Sequence, residues 1–265
     1  MVVDPPAAGY YVSDSNVTFQ RQIGEMQDAG ITFAVVSWWG PFTAGEAGAI
    51  NNATFDLFRY LKSTNSSFQV AIMVESFPGT CGPPLPDVPT SQIYAYVQNN
   101  FASPYAKWYF GWDNKPLLLF FNPLQPGTSG NFTVRTIGNR PNVVDWTFWD
   151  APANFSAGEG GTGVDMANDV GTPQLSSDGE VTIVPRIDSY PNFRAGYQDG
   201  YLRFDPTLRL GLYSYEWNWV IANHQSVKIV LIYSWNEYHE RTAIEPAGVD
   251  AGELLNMTAT FTAKL

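Results

Sequence analysis

The stretch Lys228-Ile-Val-Leu-Ile-Tyr-Ser-Trp-Asn-Glu-Tyr-His-Glu-Arg-Thr-Ala-Ile-Glu-Pro246 decides how the rest of the chain is read. Ile229 to Tyr233 form an apolar, β-branched run, the pattern of a buried strand. Polar residues follow at once, with carboxylates at Glu237, Glu240 and Glu245 and aromatic rings at Trp235 and Tyr238. In a parallel α/β fold the side chains just past a strand's C-terminal end are the ones that meet substrate. Two carboxylates three residues apart at that place suit acid and base work on a sugar.

Working outward, strands alternate with helices. Strands are expected at 31–37, 68–74, 116–121, 132–137, 143–149, 180–187 and 228–234. Helices are expected at 17–29, 53–64, 91–101 and 212–223. Phe19, Ile23 and Met26 recur at helical spacing, and Gly30 follows as a C′ glycine. Pro116 stands at the start of its strand, where a missing N–H does least harm. This order implies a parallel sheet closed or wound by helices. The 265 residues suit one α/β domain spanning 1–265. The glycine-rich stretch 158–163 lacks the Lys-Ser/Thr ending of a phosphate loop.

Composition excludes several functions. A formal charge of −11, with 14 basic against 25 acidic residues, argues against nucleic acid and anionic membrane surfaces as partners. A neutral oligo- or polysaccharide is compatible, and 15% aromatic residues supply rings for pyranose faces as well as for a core. Cys81 stands alone, so no internal disulfide forms, and an inert thiol is the expectation. No apolar run is long enough to span a bilayer. The N-terminal residues lack the apolar stretch of a signal peptide. Neither a cofactor nor a metal site is expected, since His224 and His239 are the two histidines.

Glycosylation sequons stand at Asn16, Asn52, Asn65, Asn131, Asn154 and Asn256. With 18 Asn, and 36 Ser plus Thr, in 265 residues, chance predicts roughly 2.4 such sites. Six fit an extracellular or cell-surface glycoprotein. The alternative is a composition rich in Ser, Thr and Asn whose sequons stay unused.

Two segments carry a family resemblance. Val36-Ser-Trp-Trp-Gly-Pro41 is close to Val-Ser-Trp-Trp-Gly-Pro, and the Glu237 segment resembles Ser-(Phe/Trp)-Asn-Glu-Trp-His-Glu-Gly-Thr-x-Ile-Glu-Pro. Both belong to glycoside hydrolase family 99, the endo-α-mannosidases and endo-α-mannanases. A related stretch occurs in WbsX-type glycan proteins. The resemblance runs from about Tyr10 to Pro246, looser between the anchors. It implies a (β/α)8 TIM-type barrel. Tyr10-Tyr11 resembles the residues just after the family's first strand, leaving that strand as a stub at 2–4, shortened or lost.

By position, Glu237 matches the carboxylate that deprotonates the sugar 2-hydroxyl in the family. Glu240 matches the general acid that protonates the leaving oxygen and then activates water. The implied mechanism retains configuration through a 1,2-anhydro sugar, with no enzyme nucleophile. Three positions depart from the pattern: Tyr238 for Trp, Arg241 for Gly and Ala243 for a polar residue. An Arg beside Glu240 would lower that carboxyl's pKa.

Other strand ends offer substrate contacts. Glu75 stands near the sugar by resemblance, or else holds an Arg or Asn. Trp38 and Trp39 flank the expected cleft, one of them serving as core. Arg186 and Asp188 either hydrogen-bond hydroxyls or pair with each other. Asn236 and Tyr238 flank Glu237, and His239 orients a carboxylate or sugar. Asn122 and Asp150 are weaker candidates, and Glu245 is expected to satisfy backbone donors of the turn. The sequence therefore points to a glycoside hydrolase on α-mannoside-like linkages. Its rivals are a WbsX-like transferase and a non-catalytic surface protein on the same scaffold.

Overall fold

The structure is a computed structural model that describes residues 5–75, 88–121, 126–138, 144–147, 164–165, 173–188, 202–203, 211–238, 240–248, 250 and 252–265. The chain divides into two compact units. One comprises Val12–Gly138, the other Met1–Tyr11 with Asn139–Leu265.

In the Val12–Gly138 unit, helix α1 (Asn16–Asp28) starts at Ser15, whose Oγ accepts from Thr18 N–H at 3.2 Å. It ends in a Schellman turn: Ile31 N–H reaches Met26 O and Gly30 N–H reaches Gln27 O, both at 2.9 Å, with Gly30 at φ +78°. Phe19, Ile23 and Met26 are buried, as their spacing predicts. Strands β1 (Phe33–Trp38) and β2 (Gln69–Val74) pair in parallel, crossed over by helix α2 (Gly45–Thr64). Helix α3 (Thr90–Val97) continues as a π turn, Gln98–Ala102.

Strand β3 (Gly111–Trp112) forms an antiparallel hairpin with β4 (Lys115–Phe121). Its two turn residues, Asp113 and Asn114, have φ of 51° and 63°, the pattern of a tight type I′ turn. β4 pairs in parallel with β2 on one side and with β5 (Thr133–Gly138) on the other. Trp38, Phe58, Leu61, Phe101, Leu117 and Leu118 have no exposed surface and fill the core.

Helix α2 begins eight residues before the expected 53. Residues 45–52 carry two glycines and two asparagines and lack apolar periodicity, so sequence did not mark them as helix. Gly48 is needed there because a Cβ would come within 2.6 Å of the Thr43 carbonyl carbon.

The other unit carries short strands β6 (Trp146–Thr147), β7 (Val164–Asp165) and β9 (Leu202–Arg203), the last two paired in parallel. Its candidate-bearing strands are β8 (Glu180–Ile183) and β10 (Ile229–Ile232), also parallel. β8 ends short of the expected 187 because Pro185 interrupts the ladder. Helix α4 (Gly211–Ala222) packs against α5 (Glu253–Thr262), a helix the sequence reading did not mark. Trp217 stacks on Phe261 at 5.7 Å, and Tyr213 shares a 2.8 Å hydrogen bond with Thr258. The stub at 2–4 lies outside the described residues. Among the described residues the parallel ladders do not trace a closed barrel, and no helix is long and apolar enough to cross a membrane.

Two carboxyls are enclosed around β8. Glu180 has no exposed surface; its Oε1 accepts from Thr182 Oγ1 at 2.6 Å, while Oε2 has no hydrogen-bond partner. Glu216, on α4, accepts the Val184 N–H at 2.9 Å. Burial pushes Glu180 up to about 8 from its ordinary 4.5 and pushes Glu216 well above that value. Between these values the folded chain binds more protons than the unfolded one. For Glu180 the resulting stability is complete below about 4.5 and is lost as pH rises through about 8. Glu180→Gln should flatten the fall in thermal midpoint across this window and raise the midpoint at pH 8 by a few degrees. A scan of midpoint against pH for both proteins checks this.

Candidate functional site

β8 and β10 run in parallel, so residues 184–188 and 233–238 leave the sheet at the same end. Tyr233 N–H continues the ladder to Ile183 O at 3.0 Å, and the Tyr233–Ser234 peptide is cis. The chain then doubles back. Ser234 N–H reaches Thr242 O at 3.1 Å, Ile244 N–H reaches Ser234 O at 3.0 Å, and Glu245 N–H reaches Trp235 O at 2.9 Å. Ser234 Oγ also accepts the Glu237 N–H at 3.1 Å and shares a 2.7 Å bond with Thr242 Oγ1. Thr242 N–H closes the turn on Glu237 O at 3.2 Å.

A polar turn of this length would be floppy without such bonds. With them, the part-exposed Glu237 sits on a fixed backbone. Glu240 is held differently: its carbonyl accepts the Asp188 N–H at 2.8 Å, and its Oε2 accepts the Tyr233 hydroxyl at 2.7 Å. Asn236 is exposed beside Glu237, Tyr238 is buried, and His239 lies outside the described residues, as do Cys81, Asn122, Asp150 and Asn154.

The two arginines are bound to aspartates. Arg186 pairs with Asp250 at 2.8 Å and donates through Nε to Arg241 O at 2.7 Å. Arg241 pairs with Asp188 at 2.8 Å, their side chains 19% and 8% exposed. The Arg241 guanidinium is thus ion-paired with Asp188. Arg241 also has φ +59°, the left-handed region. A glycine would adopt this angle without strain.

Glu245 is 1% exposed, and its carboxylate receives two side-chain hydroxyls, Tyr11 at 2.7 Å and Tyr238 at 2.6 Å, both on Oε2. Burial first, and then the Glu245 carboxylate, push Tyr11 up to about 12 and Tyr238 further. The same N-terminal stretch pairs with the end of the turn. Ala7 N–H meets Pro246 O at 2.8 Å, Gly248 N–H meets Pro5 O at 3.1 Å, and Pro6 bridges Ala247.

In the Val12–Gly138 unit a second group gathers after β1 and β2. Ser37 Oγ donates to Glu75 Oε1 at 3.0 Å, Trp39 Nε1 donates to Ser37 Oγ at 3.3 Å, and Glu75 N–H reaches Trp38 O at 3.0 Å. Of the tryptophan pair, Trp38 is the core residue. It stacks on Tyr96 at 5.7 Å and donates to Asn51 at 2.9 Å. Trp39 keeps a part-exposed ring.

Tyr233, Ser37 and Asp250 were missed in the sequence. Tyr233 ends an apolar run and reads there as strand filling, while Ser37 and Asp250 acquire partners only through folding.

Arg241→Gly sets two magnitudes against each other. A left-handed L-residue costs about 1–2 kcal/mol, while removing one partner of a buried ion pair costs about 3–5 kcal/mol. The pair here is nearly buried, so the second effect should win, with a net loss of about 1–4 kcal/mol. Adding Asp188→Asn to Arg241→Gly should recover most of it, because the stranded carboxylate is gone. Denaturant unfolding of the single and double variants measures both.

No family model and no curated protein matches the chain. Solved structures do. Two structures of the GH99 endo-alpha-mannosidase from Bacteroides thetaiotaomicron, one in complex with Bis-Tris-propane, align with TM-scores of 0.66 and 0.64 at 15% identity. They cover 98% of this chain and 87% and 82% of theirs. A structure described as a glycoside hydrolase-like protein aligns with a TM-score of 0.61 at 14% identity, covering 98% of this chain and 89% of its own. The chain therefore has a mixed α/β fold like that of GH99 glycoside hydrolases.

Proposed function

We propose that the chain is a glycoside hydrolase that cleaves α-mannoside-like linkages in polysaccharide or N-glycan. On this reading residues 1–265 form one (β/α)8 barrel domain. Glu237 takes the proton from the sugar 2-hydroxyl, and Glu240 protonates the leaving oxygen and then activates water. The observation that carries the reading is the placement of both carboxylates in the self-bonded turn beyond β10, each in its own surroundings. Glu240 receives a tyrosine hydroxyl, and Glu237 rides on the Ser234 cap. Different surroundings are what a pair needs if one member is to be ionised while the other holds a proton. The endo-alpha-mannosidase fold supports the substrate class.

Further sugar contacts in this proposal are Asn236, Tyr238, His239, Arg186 and Asp188. Within the Val12–Gly138 unit, Trp38, Trp39 and Glu75 are proposed as sugar contacts in their own right, and of these Trp38 has no exposed surface. Release of reducing ends from a panel of α-mannans tests the activity. Glu240→Gln should lose about 10²–10⁴-fold on natural linkages and less on a glycosyl fluoride, whose leaving group needs little proton help. Glu237→Gln should lose equally on both, and a 2-deoxy substrate should resist cleavage. Equal losses for both variants on both substrates would overturn the assignment.

An extracellular or cell-surface location belongs to the same proposal. Asn16, Asn52, Asn65, Asn131 and Asn256 are all exposed, so a glycan fits at each. Mass spectrometry of native material should find glycan on at least some of them, and unmodified peptides throughout would remove the argument.

A further inference from the structure

The turn beyond β10 holds one contact that the division of labour between Glu237 and Glu240 does not use. Tyr233, the first residue after the strand, turns its hydroxyl onto Glu240 Oε2 at 2.7 Å. A phenol donates its proton to a carboxylate oxygen, and a hydrogen bond to the charged form favours that form.

We infer that Tyr233 is a positioning residue for Glu240: it pins Oε2 and biases the carboxyl toward ionisation. The inference rests on the reading of Glu240 as the acid–base carboxyl. A group that must donate a proton in one half-reaction and accept one in the next gains from a fixed hydrogen-bond donor. Its orientation then survives the change of charge.

The charged groups around Glu240 come from several stretches. Glu237 and Arg241 lie on its own turn, and Arg186 and Asp188 follow β8. Asp188 binds Arg241 and donates its N–H to the Glu240 carbonyl. Asp250 enters through Arg186. Tyr233→Phe changes none of these, since it keeps the ring and removes only the hydroxyl.

The test has two readouts. In protein labelled with 13C at glutamate carboxyls, the Glu240 resonance is identified by its loss in Glu240→Gln and is then titrated. Tyr233→Phe should raise the Glu240 midpoint by about one pH unit, the scale of one lost hydrogen bond to a carboxylate. Fluorotyrosine at 233, a stronger donor, should lower it. Near-UV circular dichroism confirms that each variant is folded. An unchanged midpoint in folded protein with both substitutions overturns the inference.

On an α-mannan substrate, Tyr233→Phe should move the alkaline limb of kcat/KM upward by the same amount. It should lower kcat about tenfold with KM nearly unchanged, whereas a merely structural loss would move neither limb. If wild-type protein cleaves no α-mannoside, the proposed activity fails while the carboxyl titration still decides the role of Tyr233. If Glu240→Gln abolishes cleavage but Tyr233→Phe shifts nothing, the activity stands and the inference fails.

Discussion

The candidate site depends on the way residues 234–245 hydrogen-bond to themselves. Among the described residues no strand follows β10, and a polar turn would leave its N–H and C=O groups competing for water. Ser234 resolves this by donating to Thr242, accepting from Ile244 and capping Glu237 through its hydroxyl. Each such bond contributes about 0.5–1.5 kcal/mol net, so no single one holds the turn. Together they convert a flexible segment into a platform from which Glu237 and Glu240 project at set places.

Electrostatics then arranges what the platform carries. Asp188 and Asp250 hold the guanidinium groups of Arg241 and Arg186 in ion pairs. Arg241 is retained at a backbone angle that suits glycine, with its ion pair offsetting the strain. Glu245 plays the corresponding part at the far end of the turn. It gathers Tyr11 and Tyr238 and so ties the N-terminal stretch to the same structure.

Much of this was legible in the chain. The strands at 33–38, 69–74, 115–121 and 229–232 lie within two residues of their expected bounds, because apolar runs bounded by turn residues carry a strong local signal. Residues 253–262 were missed, since a short helix after a proline- and glycine-bearing turn has little pattern until Trp217 gives Phe261 a surface to stack on. Glu180 and Glu216 were equally silent. A glutamate in a sequence looks solvated, and enclosure by β8 and α4 is what lifts their pKa values.

The sequence by itself determined the alternation of strands and helices, the likeness of its two anchors to one glycoside hydrolase family, and the placing of Glu237 and Glu240 just beyond the last strand. These are local properties, set by periodicity and by neighbours along the chain. Only the tertiary structure decided that Trp38 is core while Trp39 keeps an exposed face, that Arg241 answers to Asp188, that Tyr233 reaches Glu240, and that Tyr11 meets Glu245 across 234 positions. Those outcomes depend on which atoms come within hydrogen-bonding distance and lose their water, and that is settled only when the chain has folded.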